Sequence, residues 1–136
     1  MPRTGSCLCR AVEFELADAS SAGVLCYCSN CRKTTSDRSY NIATTRDAVT
    51  VTKGAPAVYH DTTTKSALPM ARYFCSSCGS PLWSDPESQP SARYVKVGAL
   101  DDAADVRVVA EVFVDHALAH GPMFGQKHFD SNRNAV

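Results

Sequence analysis

The chain has 136 residues, which is one domain's worth and too little for two ordinary ones. Apolar residues make up 44% and charged residues 21%, close to the average soluble domain, so disorder, collagen-like repeats and coiled coil are excluded as the main organisation. Lys plus Arg (14) balances Asp plus Glu (14), without the basic surplus of a dedicated nucleic-acid binder, and no apolar run approaches the roughly 18 residues of a membrane span. The opening MPRTGSCLCR lacks the apolar stretch of a secretory signal, so the expected compartment is the cytoplasm.

The first clear element lies over residues 11–17, where Val12, Phe14 and Leu16 alternate with Glu13 and Glu15. That period of two predicts a half-buried strand. Short β-like runs follow at 24–28, 40–45, 49–52, 57–60, 71–75, 82–83, 93–97 and 106–114. Turn signals separate many of them: Lys53-Gly54-Ala55-Pro56, Gly79-Ser80-Pro81, Asp85-Pro86 and Leu100-Asp101-Asp102. Many short strands at this spacing predict an all-β single domain over 1–136. No amphipathic helix of ten residues or more is visible, although 29–36 could form a helical turn. Residues 130–136 read as a polar tail that frays.

The unusual feature is seven cysteines, at positions 7, 9, 26, 28, 31, 75 and 78. They fall into three groups: C-x-C, C-x-C-x-x-C and C-x-x-C. A disulfide scaffold would favour an even count and a secreted chain. Scattered buried thiols would not cluster. A redox pair would concern only Cys75 and Cys78. Zinc ligation explains the clustering directly, because neighbouring thiolates share one ion.

The spacings have geometric content. In a strand, residues i and i+2 share a face about 6.8 Å apart. Two sulfurs on tetrahedral zinc stand about 3.8 Å apart, a gap that side-chain rotation can close, so C-x-C suits two ligands leaning together from one strand. C-x-x-C suits a tight turn, and Gly79 after Cys78 is free to take positive φ.

Seven ligands divide as four plus three, one closed structural site and one with an open position. Spacing leaves the partition open. Cys7, Cys9, Cys75 and Cys78 could leave Cys26, Cys28 and Cys31; alternatively a ribbon of Cys28, Cys31, Cys75 and Cys78 could leave Cys7, Cys9 and Cys26. One of His60, His116, His120 or His128 could also close the second site.

Charge is uneven locally. Residues 32–65 carry six basic and three acidic side chains, and 85–115 carry three basic and seven acidic. Two solvated faces would explain this. The alternative is that Arg32, Lys33 and Arg38 flank the middle cluster to offset thiolate charge and hold an anionic substrate.

These residues together resemble the family of glutathione-dependent formaldehyde-activating enzymes, which includes the centromere protein V type. The resemblance is carried by Gly5-Ser6-Cys7-Leu8-Cys9-Arg10-Ala11-Val12, Cys26-Tyr27-Cys28-Ser29-Asn30-Cys31-Arg32-Lys33 and Phe74-Cys75-Ser76-Ser77-Cys78-Gly79-Ser80-Pro81-Leu82-Trp83. Val97-Gly98-Ala99-Leu100-Asp101-Asp102 and Val112-Phe113-Val114-Asp115 follow in the family's order.

By this resemblance, Cys7, Cys9, Cys75 and Cys78 hold a structural zinc, and Cys26, Cys28 and Cys31 a catalytic one, two ions per chain. The implied fold is a small zinc-pinned β-tent of short antiparallel sheets, shared with a zinc-binding accessory factor of Rab GTPases. The implied activity is addition of glutathione's thiol to formaldehyde, giving S-hydroxymethylglutathione, a carbon–sulfur lyase reaction in reverse. The implied partner is a small molecule, glutathione or another thiol adduct, with neither nucleic acid nor membrane. A binding module of the same fold, with purely structural zinc, is the alternative.

Three positions and one stretch depart from the family pattern. Arg10 stands where Gly is usual, Tyr27 where His is common, and Glu111 in place of a His. His116-Ala117-Leu118-Ala119-His120 replaces a Ser-Lys-Ala run followed by Trp. These departures predict weak glutathione–formaldehyde turnover and a larger substrate. An alkoxide formed in such chemistry needs a proton donor, for which Tyr27, Tyr40, His116 and Asp115 are candidates. Trp83 reads as core or pocket wall.

Overall fold

A computed structural model describes residues 2–17, 20–119 and 127–129. Strands β1 (Arg3–Ser6), β2 (Glu13–Leu16) and β5 (Val49–Lys53) form a small antiparallel sheet in the order β1-β2-β5. The alternation over 11–17 does what its period predicts: Val12, Phe14 and Leu16 are all buried while Glu15 is exposed.

The second sheet has eight strands in the order β11-β10-β3-β4-β9-β8-β7-β6. These are β3 (Ala22–Cys26), β4 (Ser39–Thr45), β6 (Ala57–Asp61), β7 (Met70–Phe74), β8 (Pro81–Pro86), β9 (Ala92–Lys96), β10 (Arg107–Val112) and β11 (Lys127–Phe129). The predicted runs match these strands to within a few residues, except that β8 is longer than predicted. Strands β1 and β11 have no counterpart in the sequence reading. The sheet is antiparallel except at β10, which pairs parallel with both β3 and β11. One helix, α1 (Ser29–Thr35), falls where the short helical turn was expected.

Register decides what each face of the large sheet carries, because residues paired across strands share a face. On one face Gly23 pairs Ile42, Ile42 pairs Val95, Val95 pairs Trp83 and Trp83 pairs Tyr73. This face packs on Val12, Phe14 and Leu16 of the small sheet to make the main core, with Phe14 edge-on to Trp83 at 5.2 Å. Each large apolar side chain fully buried here contributes about 1.5–3 kcal/mol. Gly5 admits this packing: a Cβ there would lie 2.4 Å from the Phe14 ring.

The other face carries polar side chains. Val24 pairs Asn41 and Asn41 pairs Lys96, Cys26 pairs Ser39, Ala43 pairs Tyr94, Tyr94 pairs Ser84, and Ser84 pairs Arg72. Simple alternation would put such residues in solvent. Ser39, Asn41, Arg72, Ser84 and Lys96 are instead buried.

Candidate metal centre and adjoining cavity

The chain brings its cysteines into two groups. In each, the sulfurs lie within 4.8 Å of one another: Cys7, Cys9, Cys75 and Cys78 in one, Cys26, Cys28 and Cys31 in the other. The ribbon partition that spacing left open is not the one the fold assembles.

In the four-cysteine group the Cys7 and Cys9 sulfurs are 3.7 Å apart and those of Cys9 and Cys75 are 3.8 Å apart. Two thiolates on tetrahedral zinc would stand about 3.8 Å apart, so the donor set and its spacing fit that ion. The Cys7–Cys9 approach does not come from an extended strand, as the spacing argument assumed. The chain turns after β1, the Arg10 amide donates to the Cys7 carbonyl at 3.1 Å, and Arg10 takes φ 61°. That left-handed conformation gives a physical reason for glycine at this position in the family pattern, since a side chain there is strained. The Cys75–Cys78 turn is as predicted, closed by the Gly79 amide on the Cys75 carbonyl at 2.8 Å, with Gly79 at φ 78°.

Backbone amides also point at sulfur, from Val12 to Cys7 at 3.3 Å and from Ser77 to Cys75 at 3.4 Å. Burial would raise the Cys7 thiol, but the Val12 bond and the neighbouring sulfurs of Cys75 and Cys9 outweigh it and lower it. Hydrogen bonds from Ser80, through its side chain and then its backbone, hold the Cys78 thiol down at about 5. The group ties the turn after β1 to the β7–β8 turn, joining the two sheets.

The three-cysteine group sits where β3 passes into α1. Cys28 is not a strand residue but the helix N-cap, and its sulfur accepts the Cys31 amide at 3.3 Å. Hydrogen bonds from Cys26 and Cys28 hold the Cys31 thiol well below its usual range, aided by the charge of Lys96. Hydrogen bonds with Cys28 and Cys31, together with burial, push the Cys26 thiol well above it. A thiolate is therefore favoured at Cys31 even before a cation adds its field. No fourth His, Cys, Asp or Glu joins this group among the described residues.

Cys26 and Cys31 line a cavity of about 260 Å³ on the polar face of the large sheet. Its walls are Val24, Met70 and Val112, and its polar groups include Asn41, Arg72, Tyr94 and Lys96. Arg72 is held by Asp61, its Nε donating at 2.9 Å to a carboxylate that also accepts from Asn30 Nδ2 at 3.0 Å and from Thr63. Asn30 lies between Cys28 and Cys31, so this network fastens α1 to β6 and β7. Lys96 Nζ donates to Asn41 Oδ1 at 2.9 Å, and Asn41 Nδ2 donates to Ser39 Oγ at 2.9 Å. Burial pushes the Lys96 ammonium down in pKa, and the Cys31 thiolate works against that.

The Asp61 network predicts a pH-dependent contribution to stability. Burial would raise the Asp61 pKa, but hydrogen bonds from Asn30, Thr63 and Arg72 outweigh it and hold the group at about 2. A carboxylate at about 2 when folded and about 3.9 when unfolded contributes about 2 kcal/mol above the unfolded value, lost as pH falls through the folded one. Asp61→Asn should therefore cost at least about 2 kcal/mol in urea unfolding at pH 7. The difference from wild type should be unchanged at pH 5 and shrink only below about pH 4. A difference that already declines between pH 7 and pH 5 would contradict this role.

The cations expected from sequence lie elsewhere. Arg32 Nη1 donates to the His116 carbonyl at 3.1 Å, tying α1 to the turn Val114–His116. Lys33 is exposed on the helix. Arg38 packs over the Tyr27 ring, its guanidinium carbon 5.8 Å from the centroid. Tyr27 is buried and donates to Glu111 Oε1 at 2.7 Å. Two departures from the family pattern are thus one hydrogen-bonded pair, and neither lines the cavity.

Tyr40 donates to the Val106 carbonyl at 3.2 Å and faces the groove lined by Arg10 and Asp101. His116 packs edge-on to Phe113, and its Nε2 lies 3.7 Å from Asp115 Oδ2. Trp83 is in the core, with the Arg93 guanidinium carbon 4.9 Å above its ring. His60 is exposed on β6. His120 lies outside the described residues, as does the 130–136 tail, and His128 is described only as part of the β11 backbone.

A small β domain whose two sheets are tied by a group of four cysteine sulfurs, with a second group of three beside a cavity, offers two sites that could each hold a metal ion. The chain matches the family described as "Glutathione-dependent formaldehyde-activating enzyme" over residues 2–116, and it belongs to that family. A Halomonas elongata protein named for the same activity is 40% identical over 83 residues, 58% of this chain and 53% of that protein, so the match spans about half the relative's length. The crystal structure of a Rhodobacter sphaeroides protein superposes with a TM-score of 0.61 at 22% identity, covering 93% of this chain and 98% of that one. That likeness is one of fold. Among the described residues, no helix is long and apolar enough to cross a membrane.

Proposed function

We propose that the chain is a zinc-dependent enzyme of the carbon–sulfur lyase type, making or breaking the bond between a small thiol and an aldehyde carbon. The observation that carries this reading is the three-sulfur group of Cys26, Cys28 and Cys31 at the wall of a cavity of about 260 Å³. Cys7, Cys9, Cys75 and Cys78 would hold a second, structural ion. A reducing compartment such as the cytoplasm keeps all seven thiols available as ligands.

Zinc held by three thiolates would supply an exchangeable position at which a thiol ionises near neutral pH. The chain's own residues supply the rest. Val24, Met70 and Val112 make an apolar wall that limits water around the reacting sulfur. Arg72, fixed by Asp61, and Lys96, fixed by Asn41, place positive charge beside the cysteine sulfurs. That charge offsets the excess of three thiolates over a divalent cation.

Family membership makes glutathione and formaldehyde the first pair to assay. Because Tyr27 and Glu111 pair with each other away from the cavity, their departure from the family pattern does not change its lining. Formation of S-hydroxymethylglutathione, and of adducts with larger aldehydes, is compared with the uncatalysed rate. Acceleration of at least one thiol–aldehyde pair is expected. No acceleration with any pair would overturn the enzyme reading in favour of a binding module.

A further inference from the structure

Lys96 is a cation on the cavity's polar face that has no carboxylate partner among the described residues. The residue is 8% exposed, and its ammonium has three N–H donors. Asn41 Oδ1 takes one, at 2.9 Å. Among the described residues no carboxylate lies within ion-pair distance, whereas Arg72 has Asp61 and Arg93 has Asp85. Asn41 is itself held by pairing in β4 and by donation to Ser39 Oγ, so the ammonium is fixed on the face that also carries Cys26. A buried ammonium with donors unused is costly unless something else accepts from them.

We infer that Lys96 binds the substrate's carbonyl oxygen and holds the negative charge that grows on it as the carbon–sulfur bond forms. This rests on the thiol–aldehyde reading of the site. In the addition direction the thiol loses its proton to solvent, and a sulfur lone pair forms the new bond to carbon. The carbonyl π pair moves onto oxygen, where Lys96 donates a hydrogen bond, and a proton from solvent completes the hydroxyl. R–SH and R′–CHO thus give R–S–CH(OH)–R′ with no net change in protons or electrons. A preorganised donor at such an oxygen acts on the transition state more than on the ground state. Tyr27, Tyr40, His116 and Asp115, the donors suggested by sequence, do not line this cavity.

The test uses thiols of similar length that differ in the charge beyond the carbon bonded to sulfur: mercaptoacetate, mercaptoethanol and 2-mercaptoethylamine. Each is titrated calorimetrically into the full chain purified with its zinc. Mercaptoacetate, whose carboxylate oxygen stands in for the developing alkoxide, is expected to gain about tenfold over mercaptoethanol in wild type relative to Lys96→Met. Comparing the ratio between proteins cancels the intrinsic difference between thiols. Lys96→Gln, which keeps a donor for Asn41 and removes only the charge, should lose the same preference and serves if Lys96→Met does not fold. In wild type alone, 2-mercaptoethylamine should lose affinity relative to what its thiol acidity predicts.

With zinc content and circular dichroism unchanged, a mercaptoacetate preference that survives in either variant overturns the role of Lys96. Wild type that binds none of the three thiols overturns the thiol reading of the site itself.

Discussion

Replacing Cys75 with Ala should leave a chain that does not fold. Cys75 is buried in the four-sulfur group that joins the turn after β1 to the β7–β8 turn. A closed thiolate site binds zinc with about 10–16 kcal/mol apparent, comparable to the roughly 5–15 kcal/mol net stability of a whole domain. Removing one ligand also opens the closed site and loosens the hold of its ion on the two turns. Cys78→Ala should behave in the same way. Circular dichroism and urea unfolding measure both. A Cys75→Ala protein as stable as wild type would show that this cluster does not hold the sheets together.

Cys28→Ser should have the opposite character, folded but inactive. The Cys28 side chain caps α1 by accepting the Cys31 amide at 3.3 Å, and serine is a good N-cap, so the helix start is preserved. Serine's hydroxyl is far less acidic than a thiol and a poor zinc ligand, so the three-donor site loses its metal or its charge. The expected loss of turnover is at least about a hundredfold, the scale of removing one strong stabilising group from a site. Circular dichroism should stay close to wild type. Equal turnover by the two proteins would remove the three-cysteine group from the chemistry.

Much of this was legible in the residues. Alternation at Val12, Phe14 and Leu16 located the buried face of β2, and Gly79 marked the turn that closes the Cys75–Cys78 pair. The grouping of cysteines came from resemblance and not from spacing, because a ligand's partner depends on how two sheets meet. The C-x-C spacing predicts Cys7 and Cys9 on one strand, whereas the chain turns there, because nothing in the local pattern says that Arg10 adopts φ 61°.

The cations that line the cavity are different ones, for a related reason. Arg32, Lys33 and Arg38 are close to the middle cluster in sequence, whereas Arg72 and Lys96 reach it through the order of strands β3-β4-β9-β8-β7. In their own strands Arg72 and Lys96 look like the solvent side of an ordinary alternation. Only register places them on the same face as Cys26, where the polar side of the sheet lines a cavity. The Tyr27–Glu111 pair was invisible in the same way, since 84 residues separate two side chains that are 2.7 Å apart.

The central claim is that the two cysteine groups hold two separate zinc ions with different duties. Elemental analysis of folded protein purified under reducing conditions tests it most directly, read as zinc per chain for wild type and Cys28→Ser. Two ions in wild type and one in folded Cys28→Ser is the predicted result. One ion or fewer in folded wild type would contradict it.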